Sequence, residues 1–192
     1  MTSIILASTS IYRKQQLERL NIHFSSLAPD VDEEMVKSKG LEHDRLSLEL
    51  ALLKARNIST THKDSIVIGG DQVASFNGNI LSKPKTKEKA FKQLKALSGN
   101  SHQLITSLAI IHKDHEYTHR CIANMQMREL STEQIQRYIE IDEPLYSCGS
   151  YKLETLGISL FDRIECDDYT SIIGIPLMWT AKTLNALGVS VP

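Results

Sequence analysis

The sequence predicts an α/β fold, a central twisted mixed sheet with helices on its faces. Three observations predict it. Short apolar runs alternate with segments whose apolar residues recur at helical spacing. Asn77-Gly78 lies between the extended runs 72–76 and 79–82, a strong antiparallel hairpin signal. Two long extended stretches, 102–112 and 117–130, follow each other around Lys113-Asp114-His115-Glu116.

Each element has its own reason. Residues 3–7 form a short apolar run and read as a buried strand. Residues 10–20 place Ile11, Leu17 and Leu20 at helical spacing, and 22–27 read as a second strand. Leu46, Leu50, Leu53 and Ile58 make 45–58 an amphipathic helix. Residues 65–70 are an apolar strand that ends in Gly69-Gly70, which places Asp71 at its exit. After the hairpin, Ala90, Phe91, Leu94 and Leu97 line one side of a helix over 86–97. Ser131 with Gln134 forms a capping box that opens a helix to about Ile141. Residues 157–164 suggest a last strand. Pro176 suits the first turn of a helix that stops at Gly188.

The chain has 192 residues, which suits one domain spanning 1–192. Hydrophobic residues are 41% and charged residues 23%, an ordinary globular balance. The net charge of -1 excludes the global basic field that drives non-specific nucleic-acid binding, so an anion site must be built locally. Cys121, Cys148 and Cys166 are odd in number and lack CxxC spacing, which argues against a disulfide framework and a zinc site. No apolar run has the length of a membrane span, and the first residues lack a basic leader. A cytoplasmic, membrane-free protein is the expectation.

Five segments carry candidate chemistry. Ser8, Thr9 and Ser10 precede a helix whose first turn holds Arg13 and Lys14. The helix dipole disfavours cations there, and a bound polyanion resolves the conflict. The competing reading makes Ser10 an ordinary N-cap with both cations in solvent. Asp30, Asp32, Glu33 and Glu34 read as an acidic loop whose carboxylates suit a hard divalent cation, or simply as a solvated loop. Asp71, at the strand exit, occupies a position where α/β folds gather ligands. Lys54, and Lys83 with Pro84 after it, are cations able to hold phosphate oxygens. Gly149 and Gly157 bracket a polar loop that contains Lys152 and Glu154.

Taken together, in this order and spacing, the segments resemble the Maf family of nucleotide pyrophosphatases. The matching stretches are Leu6-Ala7-Ser8-Thr9-Ser10 with Arg13-Lys14, Val31-Asp32-Glu33, Lys54-Ala55, Gly70-Asp71-Gln72, Ser82-Lys83-Pro84, Leu97-Ser98-Gly99, Gly149-Ser150-Tyr151-Lys152 and Gly174-Ile175-Pro176-Leu177. The resemblance implies a Maf/ITPase-like fold of two lobes around an active-site cleft. It implies hydrolysis between the α- and β-phosphates of a nucleoside triphosphate, a divalent metal (Mg, Mn or Co), a cytoplasmic location and often a homodimer. By position, Asp71 resembles the general base and, with Glu33, the metal holder. Lys54 and Lys83 resemble the groups that stabilise phosphate charge. Ser8, Ser10, Arg13, Lys14 and Lys152 fall in substrate-binding stretches. Lys14 departs from the arginine of many members and lacks its bidentate fork.

Tyr12, Gln72 and Glu154 bear on the base. The resemblance assigns an aromatic residue, glutamine and glutamate there to a subgroup acting on 7-methyl-GTP. Arginine, threonine and glutamine mark the subgroup acting on dTTP and UTP. Methylation at N7 makes guanine cationic, which an aromatic face attracts by ~0.5–2 kcal/mol. A glutamate can accept from both N1–H and the N2 amine of guanine. A non-catalytic nucleotide-binding regulator of cell division is the other reading. It gains little from acids beside phosphates, whereas a metal-dependent hydrolase needs them.

Overall fold

The computed structural model describes residues 2–191. In chain order these form β1 (Ile4–Ala7), α1 (Ile11–Glu18), β2 (Ser25–Leu27), α2 (Glu33–Lys37), α3 (His43–Ser59), β3 (Ile66–Phe76), β4 (Asn79–Leu81), α4 (Lys87–Leu97), β5 (Ser101–His112), β6 (His115–Met127), α5 (Thr132–Asp142), β7 (Phe161–Glu165) and α6 (Leu177–Ala186). Seven strands make one sheet in the order β2-β1-β3-β5-β6-β7, with β4 paired to β3. β1 runs parallel to β2 and β3, while β4 and β7 pair antiparallel to β3 and β6. The mixed α/β sheet expected from the sequence is therefore present.

The chain divides into two compact units. The first comprises 2–72, 106–121 and 168–191. Its strands alternate strictly between two cores, because successive strand side chains point to opposite faces. Ile4 and Leu6 of β1, Ile66 and Ile68 of β3, and Leu108 and Ile110 of β5 pack with Leu17 of α1 and Leu177 and Leu184 of α6. Ile5, Ala7, Val67, Ala109 and Ile111 pack instead with Ala51, Leu52, Ala55 and Ile58 of α3. Apolar side chains on both faces are what a parallel sheet covered on both sides requires.

The second unit comprises Val73–Ile105 and Ile122–Asp167. Here Ala123, Met125 and Met127 of β6 are buried and alternate with less buried Ile122, Asn124 and Gln126, the pattern of a sheet with one wet face. α4 packs on α5 through a buried face of Ala90, Leu94, Ile135 and Ile139. Ser131 and Gln134 form the expected capping box. Buried His102 meets the hydroxyl of Tyr151 at 2.7 Å through Nε2, and burial pushes its imidazole down to about 4.

Several expectations shift. β3 does not end at Gly70 but runs unbroken from Ile66 to Phe76, so Asp71 lies within a strand. It still sits just past the parallel pairing, which ends at Ala7 opposite Gly69. Residues 29–34 are not all loop. Asp32 caps α2 by accepting from the amides of Glu34 and Met35, which makes Glu33 the first helical residue. Residues Leu156–Leu160 form a 3-10 turn instead of a strand. A Cβ on Gly157 would fall 2.2 Å from the carbonyl oxygen of Lys152, so the segment folds tightly back and extension starts at Phe161. Pro176 is the N-cap of α6, one residue before the helix proper. Cys121, Cys148 and Cys166 form no disulfide. Among the described residues, no helix is long and apolar enough to cross a membrane.

Candidate functional site

The site starts from a close approach of two backbones. A Cβ on Gly69 would lie 2.4 Å from the carbonyl oxygen of Ala51 and 2.7 Å from the amide of Ala55. Only glycine lets α3 press so closely on β3. This contact brings Lys54, next to Ala55 on α3, up to Asp71, two residues beyond Gly69. The Lys54 ammonium donates to Asp71 Oδ1 at 2.7 Å and pairs with Glu33 Oε1 at 2.9 Å. The side chains of Lys54 and Asp71 are 9% and 12% exposed, and Glu33 is 37% exposed. Two carboxylates thus share one buried cation, and the trio keeps one negative charge. Partial burial pushes the Glu33 carboxyl up, but the hydrogen bond and charge of Lys54, with Lys37 behind, outweigh it and hold the group below the usual carboxylate value.

The start of α1 supplies the opposite charge. Ser10 is the N-cap and accepts from the Arg13 amide at 3.4 Å. Ser8 Oγ, buried, accepts from the Ser10 amide at 3.1 Å and from Arg13 Nη1 at 3.5 Å. Arg13 Nε donates to the carbonyl of Gly174 at 3.3 Å. Its side chain lies over Gly70, where a Cβ would come within 3.4 Å of Nε. Arg13 therefore folds over the residue before Asp71 instead of extending into solvent. Lys14 is exposed and Tyr12 half-buried on the same helix.

Gln72 is engaged through its amide nitrogen. Its amide nitrogen donates to Thr106 Oγ1 at 2.9 Å and to the carbonyls of Ser171 and Ile172 at 3.1 and 2.9 Å. It ties the 3-10 turn Tyr169–Ile173 to the sheet. Asp168 anchors the same turn, accepting from the amides of Thr170 and Met178, each at 2.9 Å.

In the second unit, Lys83 is exposed in the segment between β4 and α4. Glu154 is exposed in the loop after Tyr151, and Lys152 Nζ lies 3.4 Å from Asp142 Oδ1.

A family model described as Maf-like protein matches residues 3–187. The chain belongs to the Maf family. It is 43% identical over 182 residues to a protein of Bdellovibrio bacteriovorus named 7-methyl-GTP pyrophosphatase, covering 95% of each chain. It is 42% identical over 194 residues to one of that name from Pseudomonas savastanoi pv. phaseolicola, covering both chains fully. A third, from Pseudomonas aeruginosa, is 39% identical over 194 residues, again across both chains.

In this Maf protein, Ser8, Arg13, Glu33, Lys54 and Asp71 come together in the first unit, drawn from four separate elements and one loop. Lys83, Lys152 and Glu154 belong to the second. The carboxylate pair fits a hard divalent cation, since Mg²⁺ is usually held by one or two carboxylates together with substrate phosphates and water. Among the described residues no group of three or more His, Cys, Asp or Glu gathers at one point. Reading the sequence missed Thr106, Asp142 and Asp168. The available signal was weak: Tyr138 and Asp142 stand at i and i+4, so the acid shares the apolar face of its helix.

Proposed function

We propose that this Maf protein hydrolyses 7-methyl-GTP to 7-methyl-GMP and pyrophosphate, in the cytoplasm, with a divalent cation. The observation that carries the reaction class is the Glu33–Lys54–Asp71 array beside Arg13 and Ser8. A phosphate chain needs cations to hold it, and a hydrolase needs a carboxylate to accept the proton of water. Asp71 is the base: it takes a proton from water as the oxygen bonds to phosphorus and the bridging P–O bond breaks. Lys54 holds the Asp71 carboxylate in place and adds positive charge where the phosphate oxygens become more negative. Arg13, Ser8 and Lys14 bind the phosphate tail, and Lys83, like Lys54, stabilises charge on the phosphates. Glu33 and Asp71 would hold the cation, which supplies charge neutralisation on the phosphates when bound.

The choice of base rests on two supports. The relatives above carry the name of this activity. Tyr12, Gln72 and Glu154 match the pattern that the resemblance assigns to 7-methyl-GTP. Tyr12 offers an aromatic face to the cationic base, and Glu154 two acceptor oxygens to N1–H and N2–H. Gln72 enters through its carbonyl oxygen, because its amide hydrogens are committed elsewhere. The family resemblance extends this reading to one domain over 1–192 and to a homodimer.

Product analysis tests the reaction class. Incubation of 7-methyl-GTP with Mg²⁺, Mn²⁺ or Co²⁺ is expected to yield 7-methyl-GMP and pyrophosphate in equal amounts, and EDTA is expected to stop it. Release of 7-methyl-GDP with orthophosphate, or full turnover in EDTA, would contradict the proposal.

A further inference from the structure

Asp142 ends α5 with its carboxylate buried, 7% exposed, and three donors surround it. Thr155 Oγ1 donates to Oδ2 at 2.8 Å, and the Lys152 ammonium lies 3.4 Å from Oδ1. The Tyr138 hydroxyl, one turn back on α5, donates to the same carboxylate. That hydroxyl in turn accepts the Lys152 amide at 3.0 Å. Burial first, then the bond to Asp142, pushes the Tyr138 phenol well above its ordinary value, so it stays a donor. Both ends of the segment 152–155 are thereby fixed to one buried acid, by side chain and by backbone. The Thr155 amide closes the turn on the Lys152 carbonyl at 3.3 Å. Gly157 shuts it from the far side, since any Cβ there would collide with Lys152 backbone atoms. The exposed residue inside this clamp is Glu154.

We infer that Asp142 is a positioning residue for base selection, holding the 152–155 turn so that the Glu154 carboxylate is presented in one orientation. The inference rests on the proposed role of Glu154 in taking the guanine edge. Two hydrogen bonds to adjacent donors reward a carboxylate held in one plane, and a mobile one would lose that advantage before binding. It also reassigns Lys152. Its ammonium serves the turn through Asp142. A merely structural clamp predicts something else: loss of Asp142 would lower stability and turnover equally for every nucleotide.

The test compares kcat and KM for 7-methyl-GTP and dTTP in the intact protein and in Asp142→Asn, Thr155→Val and Glu154→Gln, with the thermal midpoint of each. Asp142→Asn keeps an acceptor but removes the charge that organises the three donors. It is expected to raise KM for 7-methyl-GTP about tenfold, the scale of one hydrogen bond to a charged group, with kcat within about twofold. The ratio of kcat/KM for 7-methyl-GTP to that for dTTP should fall by a similar factor. Thr155→Val should move the ratio in the same direction by less, and it provides the reading should Asp142→Asn not fold. If Glu154→Gln lowers the ratio while Asp142→Asn and Thr155→Val leave it unchanged, the positioning role is overturned and the proposed substrate reading stands. If Glu154→Gln leaves it unchanged as well, the proposed role of Glu154 falls together with the positioning role.

Discussion

Asp71 and Glu33 share one cation but differ in how they are held. Asp71 comes from the interior of a strand and is nearly buried, whereas Glu33 opens a short helix and is more open to water. The buried partner is better placed to take a proton from a water excluded from bulk solvent, and the open one to meet an arriving cation. Asp71→Asn is therefore expected to lower kcat by ~10²–10⁴-fold, the usual worth of a positioned base. The fold should survive, because Lys54 keeps Glu33 as its counter-ion. Steady-state rates with a thermal melt check this; near-wild-type turnover in a folded variant would remove Asp71 from the role. At this scale the sequence was informative about acids and cations flanked by glycine or proline. It said little about residues that act through others. Thr106, Asp142 and Asp168 are ordinary polar residues in ordinary positions, and only the folded chain shows what they hold. Gln72 shows the same limit, since nothing in the sequence announces that its amide also secures the turn Tyr169–Ile173.

Among the elements, α3 against β3 matters most, because their packing sets the distance from Lys54 to Asp71. Gly69 is the hinge of that contact. Gly69→Ala must push α3 outward, since its Cβ would meet the Ala51 carbonyl at 2.4 Å. Overpacking of this kind costs ~1–3 kcal/mol. A lower thermal midpoint and reduced kcat together are expected, measured by calorimetry and by pyrophosphate release. An unchanged midpoint and unchanged turnover would contradict the account of how the site is built. Most elements were readable from periodicity and capping, including the box at Ser131 and the hairpin at Asn77-Gly78. The misreadings have local causes. Gly69-Gly70 looks like a strand terminus, yet the glycines serve a helix that crowds the strand. Gly157 and the apolar residues after it look extended, yet the chain there is folded against the Lys152 backbone. Asp32 looks like one more solvated acid, yet it caps α2 and thereby brings Glu33 into a helix.

For the whole molecule, the near-neutral charge and the mixed sheet are what the sequence indicated, and the two compact units agree with the two lobes that the family resemblance implies. The candidate residues divide between those units. The acids, Lys54 and the Arg13 region belong to the first, and Lys83, Lys152 and Glu154 to the second. On the proposed function, this Maf protein acts on 7-methyl-GTP in preference to the pyrimidine nucleotides. The most direct test is kcat/KM, by pyrophosphate release with saturating divalent cation, for 7-methyl-GTP, dTTP and UTP side by side. The highest value is expected for 7-methyl-GTP, and a higher value for dTTP or UTP would overturn the proposed function.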